Sequence, residues 1–246
     1  MRASRVLWAL GPIDLKSVVR DPMMRWLVFY PLLMAVAVRW GIPPVNAYAQ
    51  RRFEVDLTPH FPLLMAFLLL STPAIAGMVI GFLLLDQRDD RTLSALLVTP
   101  LPAATYLAYR IMVPMAVATA VTLVVFPLAG LMRVGFWPLL ATAVCAAPLA
   151  PFYALTLAAF ATNKVEGFAL TKAMGVLMIP PVAAWFFASP WHWLCGLTPL
   201  FWPAKTLWML DRGDPFWWAA FLFGLAFQGL LMAALLRRYE RVARQG

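Results

Sequence analysis

Six apolar runs, each about 20 residues long or longer, dominate the sequence and restrict what the chain can fold into. The runs cover residues 24–42, 60–85, 106–132, 138–161, 169–188 and 216–236. A helix of about 20 apolar residues crosses the hydrocarbon core of a bilayer. The chain is 63% hydrophobic and 13% charged, whereas a soluble domain is about half apolar and about a quarter charged. We therefore predict an all-α membrane protein with six transmembrane helices, built as one domain over residues 1–246.

The segments outside the runs are short, and two of them carry helix signals of their own. Residues 1–23 mix basic and apolar side chains, a pattern that favours a helix lying in the membrane interface. Residues 189–215 are too short and too rich in proline to cross the membrane and return, which favours an external re-entrant or surface-lying pair of short helices over a plain loop. Residues 43–59 are predicted to form an external loop. Prolines inside the runs, such as Pro148 and Pro181, predict kinked helices.

Lysine and arginine are unevenly distributed between the two sides that six spans define. Six of the 20 fall on one side, namely Arg39, Arg51, Arg52, Arg133, Lys205 and Arg212. The other 14 of the 20 share a side with both termini, so the positive-inside rule places both termini in the cytoplasm. Nine of the 11 tryptophans lie on the opposite side, as an interfacial aromatic belt would. The net charge of +9 is therefore explained by the membrane topology. The predicted partner is the lipid bilayer of the cell (inner or plasma) membrane, not nucleic acid.

The sequence holds no pattern for catalysis or nucleotide binding. It has no G-x-x-x-x-G-K-[ST] phosphate loop, no H-E-x-x-H zinc motif and no G-x-S-x-G elbow. Two cysteines and two histidines are scattered along it, so neither a disulfide nor a metal site is expected. The ionisable residues within the runs lie near predicted ends, where side chains can snorkel to the interface; they are Arg39, Asp86, Arg110, Arg133 and Lys172. We predict a protein that is not an enzyme, binds no cofactor itself and takes any energy for uphill transport from a partner.

One connection, between the second and third runs, has the features of a docking helix over residues 89–98. Asp89 or Asp90 can cap a helix N-terminus and favour its dipole. Three leucines recur at the spacing i, i+3, i+4 and share one helical face: Leu93, Leu96 and Leu97. An acidic start is poorly suited to an anionic membrane surface, so the pattern favours docking to a protein over a helix that merely rests on lipid.

The same connection resembles a known signature. The run Asp89-Asp90-Arg91-Thr92-Leu93, followed by Leu96-Leu97-Val98-Thr99-Pro100, is similar to the cytoplasmic E-x-G-T-L-x-x-L-L-V-T-P motif of type-2 ATP-binding-cassette (ABC) transporter permeases. Arg91 stands where the motif has glycine. The order of elements is similar too, with a coupling helix after the second span and a broken hairpin before the sixth. Asn163-Lys164-Val165-Glu166-Gly167 resembles permeases of the fluoroquinolone-type drug exporter group.

The resemblance implies two protein partners. One is a separate ABC ATPase subunit that binds ATP and Mg, and the other is a second permease subunit, identical or homologous. The residues implied to couple to the ATPase are Asp89, Asp90, Arg91, Thr92, Leu93, Leu96 and Leu97. The transport path in this family lies between the second and fifth spans of the paired subunits.

Two groups of residues are candidates for that path. Met174, Met178, Pro181 and Trp185 recur along one face of the fifth span, and Phe67, Ser71 and Thr72 face them from the second. Such a wall suits an apolar, aromatic substrate better than a polyanion. For any one of these residues ordinary helix packing is the competing interpretation. Packing is also the preferred interpretation of Gly77-x-x-x-Gly81.

The sequence thus predicts the permease subunit of an ATP-driven exporter that moves a hydrophobic drug-like or lipid-like substrate out of the cytoplasm or inner leaflet. The alternative is a membrane scaffold or immunity-type protein that binds a cytoplasmic partner through the same helix and transports nothing. Substrate-dependent ATP hydrolysis by a co-purified ATPase separates the two.

Overall fold

The computed structural model of the chain describes residues 3–89, 103–187 and 190–245, and every regular element in these ranges is a helix. The α-helices are α1 (Ala3–Arg20), α2 (Pro22–Phe53), α3 (Phe61–Asp89), α4 (Ala103–Ala129), α5 (Phe136–Ala146), α6 (Leu149–Phe160), α7 (Lys164–Met174), α8 (Ile179–Phe186), α9 (Phe201–Asp211) and α10 (Trp217–Gln245). Short 3₁₀ turns cover Thr58–His60, Gly175–Met178 and Trp191–Leu197. The predicted all-α class is confirmed.

Six helical stretches of the described ranges are long and apolar enough to cross a membrane. They are Pro22–Phe53, Thr58–Gln87, Thr105–Ala129, Phe136–Phe160, Lys164–Phe186 and Trp217–Arg238. The prediction of six spans in a multi-pass membrane protein is confirmed by these helices.

The first span is longer than predicted, and the expected loop from residue 43 is wrong in its first part. Helix α2 begins after Asp21, whose Oδ1 accepts from the backbone of Met23 at 2.8 Å. It continues through Pro43 and Pro44 and stops at Glu54, which has φ 57° in the left-handed region. The C-terminal turn therefore ends the helix, and the two prolines do not.

The last turns of α2 are also held by side chains that reach the following loop. Asn46 Oδ1 accepts from Leu57 N at 2.7 Å, and Gln50 Nε2 donates to Asp56 at 2.9 Å. Asp56 in turn accepts from Thr58 N at 2.9 Å. These contacts leave only residues 54–57 as an irregular connection between α2 and the turn Thr58–His60.

Two spans are interrupted at or just before prolines, in agreement with the predicted kinks. Ala147 and Pro148 separate α5 from α6, because Pro148 has no N–H to continue the ladder. The turn Gly175–Met178 separates α7 from α8 just before Pro180 and Pro181.

The segment 189–215 contains the two short helical elements that the sequence predicts. The turn Trp191–Leu197 leads into α9, whose side chains Phe201, Trp202 and Leu207 are buried. Trp202 Nε1 donates to Gly196 O at 2.9 Å, which ties the two elements together. Their depth in a bilayer remains a prediction, as does the interfacial position of α1.

The core of the molecule lies around α3 and α6. Glycine at Gly77 and Gly81 lets the two helices touch, since a Cβ on Gly77 would lie 2.8 Å from Tyr153 Cβ and one on Gly81 would lie 2.9 Å from Leu157 Cβ. The packing interpretation of the glycine pair is confirmed. Most residues in the apolar parts of α3 and of α5–α6 are buried, whereas only a minority are buried in those of α2, α7–α8 and α10.

Candidate functional site

The predicted docking segment lies largely outside the described residues. Asp89 is the last residue of α3, while Asp90, Arg91, Thr92, Leu93, Leu96 and Leu97 are outside the described ranges. The structure does describe the helices on either side of the segment, α3 and α4. The end of α3 at Gln87 and the first turns of α4 are linked through a buried arginine.

Arg110 of α4 is the centre of this link, which we call the Arg110 cluster; its members are Asp14, Gln87, Tyr106, Tyr109 and Arg110. The Arg110 side chain is 2% exposed, and its Nη1 lies 2.8 Å from Asp14 Oδ2. Its Nη2 donates to Asp14 Oδ1 at 3.3 Å and to Gln87 Oε1 at 2.8 Å. The guanidinium therefore joins α1, α3 and α4 at one point.

The two tyrosines complete the cluster. Tyr106 Oη accepts from Arg110 Nε at 3.1 Å and donates to Gln87 Oε1 at 3.2 Å. Tyr109 Oη donates to Asp14 Oδ2 at 2.8 Å. A buried charge is tolerated when a counter-ion and further hydrogen bonds replace its water. The snorkelling interpretation of Arg110 is wrong, because this side chain turns inward to an acidic partner on α1.

Lys164 forms a second ionic link at the same end of α3, the Lys164 cluster of Asp21, Asp86 and Lys164. Its Nζ lies 2.9 Å from Asp21 Oδ2 and 2.9 Å from Asp86 Oδ1. The hydrogen bond from Lys164 lowers the pKa of Asp21, and the backbone N–H groups of the first turn of α2 lower it further. Asp86, whose side chain is 29% exposed, therefore has a cationic partner near the end of its span.

The two clusters together hold α1 at two points. Asp14 lies within α1 and Asp21 follows its last residue. Each of these carboxylates meets a cation that also binds the end of α3, at Gln87 in one case and at Asp86 in the other. A movement of α3 at this end must therefore displace α1, α4 and α7, or break the Arg110–Gln87 hydrogen bond or the Lys164–Asp86 ion pair.

A lateral groove of about 280 Å³ opens between α2, α3 and the turn Gly175–Met178. Phe67, Ser71 and Met178 line it, with Leu27 and Tyr30 of α2 closing one side. The Ser71 hydroxyl donates to Leu68 O at 3.0 Å, so it is already paired. The groove accordingly offers an apolar and aromatic surface between the second and fifth spans.

Of the seven candidate path residues, the structure brings Phe67, Ser71 and Met178 together in the groove and separates the other four. Pro181 is one of these four and is buried. Thr72 is buried and donates to Leu68 O at 3.0 Å. Met174 is buried in the core. Trp185 lies at the opposite end of α3, where its Nε1 donates to His60 Nδ1 at 3.1 Å.

Comparison with known proteins agrees with this architecture. The sequence profile of the family described as "Fluoroquinolones export permease protein Rv2686c-like" matches residues 14–236. The chain belongs to this family. The matched range contains every residue of the groove and of both ionic clusters. Membership makes the chain an export permease, a multi-pass membrane protein of the transporter class.

Two curated relatives of this permease family are similar over nearly their whole length. Both are named fluoroquinolones export permease protein and come from Mycobacterium tuberculosis, strains CDC 1551 / Oshkosh and ATCC 25618 / H37Rv. Each is 33% identical over 240 residues, which is 96% of this chain and 94% of the relative. No solved structure matches the chain.

Sequence reasoning missed both ionic clusters. The partners of Arg110 and Lys164 lie 96 and 143 residues away, and no local pattern pairs residues so far apart. One signal was available: Asn163 and Glu166 have the N-cap spacing, and in the structure Asn163 Oδ1 accepts from Glu166 N at 3.0 Å. That cap starts α7 at Lys164, five residues before the predicted span.

Proposed function

We propose that the chain is the membrane subunit of an ATP-driven ABC exporter, working with a separate ATPase and a second permease. One observation carries the proposal. The docking-like segment 90–102 connects two helices of an export permease, and the ends of those helices are joined by Arg110 to Gln87 at 2.8 Å. A displacement of the segment by a bound ATPase would therefore also displace α3, which forms one wall of the groove.

The ATPase is proposed as a separate protein because the chain has no phosphate loop. It would carry the ATP and Mg, and it would receive the leucine face of residues 89–98 in a groove of its own. The acidic start of that face and the apolar leucines fit a helix-in-groove contact.

The second permease would cover helix surface that one copy leaves open. Most of α2 and of α7–α8 is unburied, and Trp26, Phe29 and Leu33 of α2 are about half exposed or more. Pairing across these faces would also enclose the lateral groove, because α2 and the turn after α7 form its sides.

The proposed substrate is an apolar molecule with aromatic character. Phe67, Tyr30 and Met178 give the groove aromatic and thioether surface, which packs well against flat rings. The relatives are named for fluoroquinolones, and this drug class is the first substrate to test.

The docking proposal is tested by adding charge to the leucine face. In the Leu96→Asp, Leu97→Asp variant, unpaired carboxylates would enter an apolar contact, and the ATPase should be lost from the purified complex. The matched control is Ala95→Asp with Val98→Asp, which adds the same charge on the opposite face by helical periodicity. Equal ATPase yields from the two variants would place the docking site elsewhere.

The transport role is tested on the complex that keeps its ATPase. Adding a fluoroquinolone should raise ATP hydrolysis, whereas hydrolysis that no substrate changes would favour the scaffold alternative. The groove is tested by Met178→Trp, which adds bulk to its lining, against Ile179→Trp, since Ile179 is 60% exposed and does not line the groove. Only the first variant should reduce export.

A further inference from the structure

A second cavity, of about 290 Å³, lies at the opposite end of α3 from the ionic clusters. We call it the Lys205 cavity; its lining includes Trp185, His192, Lys205, Trp208, Arg212 and Asp214. Trp208 Nε1 donates to Pro62 O at 3.1 Å, which fixes this wall at the start of α3. From residue 62 to residue 87, α3 rises roughly 37 Å, so the cavity is remote from the Arg110 and Lys164 clusters.

Two cations face this cavity without a close counter-ion. Among the side chains that the structure describes, no carboxylate oxygen lies within 4.0 Å of Lys205 or of Arg212. Asp214 also lines the cavity, but its Oδ1 accepts from Phe216 N at 2.9 Å. Lys205 Nζ lies 3.3 Å from His192 Nε2, a neutral partner for the ammonium when the imidazole is unprotonated.

The surroundings of Lys205 disfavour its charged form. Burial lowers the pKa of Lys205, and the neighbouring charge of Arg212 lowers it further, while Asp214 opposes the shift. The pKa of His192 is lowered as well, by burial and then by the charge of Lys205. An anion between the two cations would oppose the repulsion between them, because it adds negative charge to the partial compensation that Asp214 provides.

Indole rings make cation–π contacts with Lys205 and Arg212 and form flat walls of the cavity. Arg212 Cζ lies 5.5 Å from the centroid of the Trp185 ring, and Lys205 Nζ lies 5.0 Å from that of Trp193. Trp185 and Trp208 meet edge to face with centroids 5.0 Å apart. Their indole N–H groups are already used by His60 and Pro62, so the rings offer apolar surface to a ligand.

We propose that the Lys205 cavity binds aromatic carboxylates, with Lys205 and Arg212 holding the carboxylate and Trp185 and Trp208 contacting the ring. The volume is at the small end of ligand pockets, so the ligand carries one or two fused rings in the cavity. This site goes beyond the proposed function, since binding requires neither ATP nor the ATPase.

The test measures binding to the purified permease in phosphatidylcholine nanodiscs, with no ATPase present. Equilibrium dialysis compares 2-naphthoate with 2-naphthamide, which has the same rings and no charge. We expect saturable naphthoate binding, with naphthamide weaker by roughly tenfold or more. Lys205→Gln should weaken naphthoate binding by a similar factor and leave naphthamide unchanged, while Lys205→Arg should keep the preference for the anion.

The matched control is Arg133→Gln, which removes one exposed cation on the same predicted side. It should leave naphthoate binding unchanged. Should Lys205→Gln fail to fold, Arg212→Gln replaces it, because the Arg212 side chain is exposed and its loss leaves the core intact.

Three results would overturn the proposal. Equal binding of naphthoate and naphthamide would show that no anion is recognised. Equal weakening by Lys205→Gln and Arg133→Gln would reduce the effect to general surface charge. Loss of naphthoate binding in phosphatidylglycerol nanodiscs, with Lys205-dependent retention of that lipid, would assign the cavity to a lipid headgroup. None of these results depends on the docking experiment, so the two proposals fail separately.

Discussion

Arg110 has three polar partners, Asp14, Gln87 and Tyr106, and its burial makes it sensitive to substitution. In Arg110→Met, the Asp14 carboxylate would stay 13% exposed and lose its counter-ion. Removing one partner of a buried ion pair costs about 3–5 kcal/mol, so the variant should unfold at a clearly lower temperature in detergent. Arg25→Met, which removes an exposed cation of α2, is the control and should melt like the parent.

A second substitution distinguishes lost pairing from lost packing. Adding Asp14→Asn to Arg110→Met removes the stranded carboxylate, so the double variant should recover part of the lost stability. Melting of Arg110→Met at the same temperature as Arg25→Met would show that the Arg110 cluster does not stabilise the fold.

The pKa of Asp56 should lie well below that of an ordinary aspartate. Hydrogen bonds from the Thr58 hydroxyl, the Thr58 backbone and Gln50 lower its pKa from 3.8 to about 2. Because the folded pKa is the lower one, the stabilisation is complete above 3.8 and is lost as pH falls through about 2. Carbon NMR of the side-chain carboxyl in micelles measures this value, and Thr58→Ala should raise it towards 3.8. A wild-type titration near the ordinary value would contradict the hydrogen-bond geometry.

Helix ends could be predicted only where the local sequence determines them. Pro43 and Pro44 predict a loop, yet α2 passes through both and stops at the left-handed turn of Glu54. Pro148, by contrast, does interrupt its span. A proline removes one hydrogen bond wherever it occurs, and the surrounding contacts decide whether the helix continues. Those contacts, such as Asn46 to Leu57, are not visible before the chain has folded.

The predicted stripe on the fifth span failed for a related reason. It assumed an unbroken α-helix from Met174 to Trp185, but Gly175–Met178 forms a 3₁₀ turn. A 3₁₀-helix has 3.0 residues per turn, whereas an α-helix has 3.6. Each residue in the 3₁₀ stretch therefore turns the helical face that follows it by about 20° more than an α-helical residue would. Met178 consequently lines the groove with Phe67 and Ser71, while Met174 lies in the core and Trp185 reaches the Lys205 cavity.

The contact between α3 and α6 depends on glycine. In Gly77→Ala the new Cβ would lie 2.8 Å from Tyr153 Cβ and would also meet the backbone oxygen of Ala150. Separating the helices should cost roughly 1–3 kcal/mol of unfolding free energy, measured by denaturation in mixed micelles. Gly229→Ala is the control, because nothing lies within 4 Å of its Cβ position. It should be neutral or stabilising by up to about 1 kcal/mol, since alanine favours the helix. Equal destabilisation by both would mean that α3 and α6 are not in close contact at Gly77.

At the scale of the whole molecule, the membrane class was predictable and the arrangement of the helices was not. Hydropathy is a local property, so six runs identify six spans whatever their packing. Which residues of a span are buried depends on helices far away along the chain. Helices α3 and α6 pack against each other, while most residues in the apolar parts of α2 and α7–α8 are not buried. The groove residues Phe67, Ser71 and Met178 were predictable because they lie on two spans that the family resemblance had already paired.

The orientation of the molecule is a prediction of the charge distribution. The six lysines and arginines assigned to the outer side include Arg51 and Arg52, at the end of α2 beside Val55, and the other 14 share a side with both termini. By the positive-inside rule, Val55 should face outward and the last turns of α10 inward. Single cysteines at Val55 and Ala243 test this in a background with Cys145→Ala and Cys195→Ser. A membrane-impermeant maleimide added to intact spheroplasts should label the cysteine at Val55 and reach the one at Ala243 only after permeabilisation. The reverse pattern would invert the topology, and the segment 90–102 would then lie on the side of the membrane where no ATPase can dock.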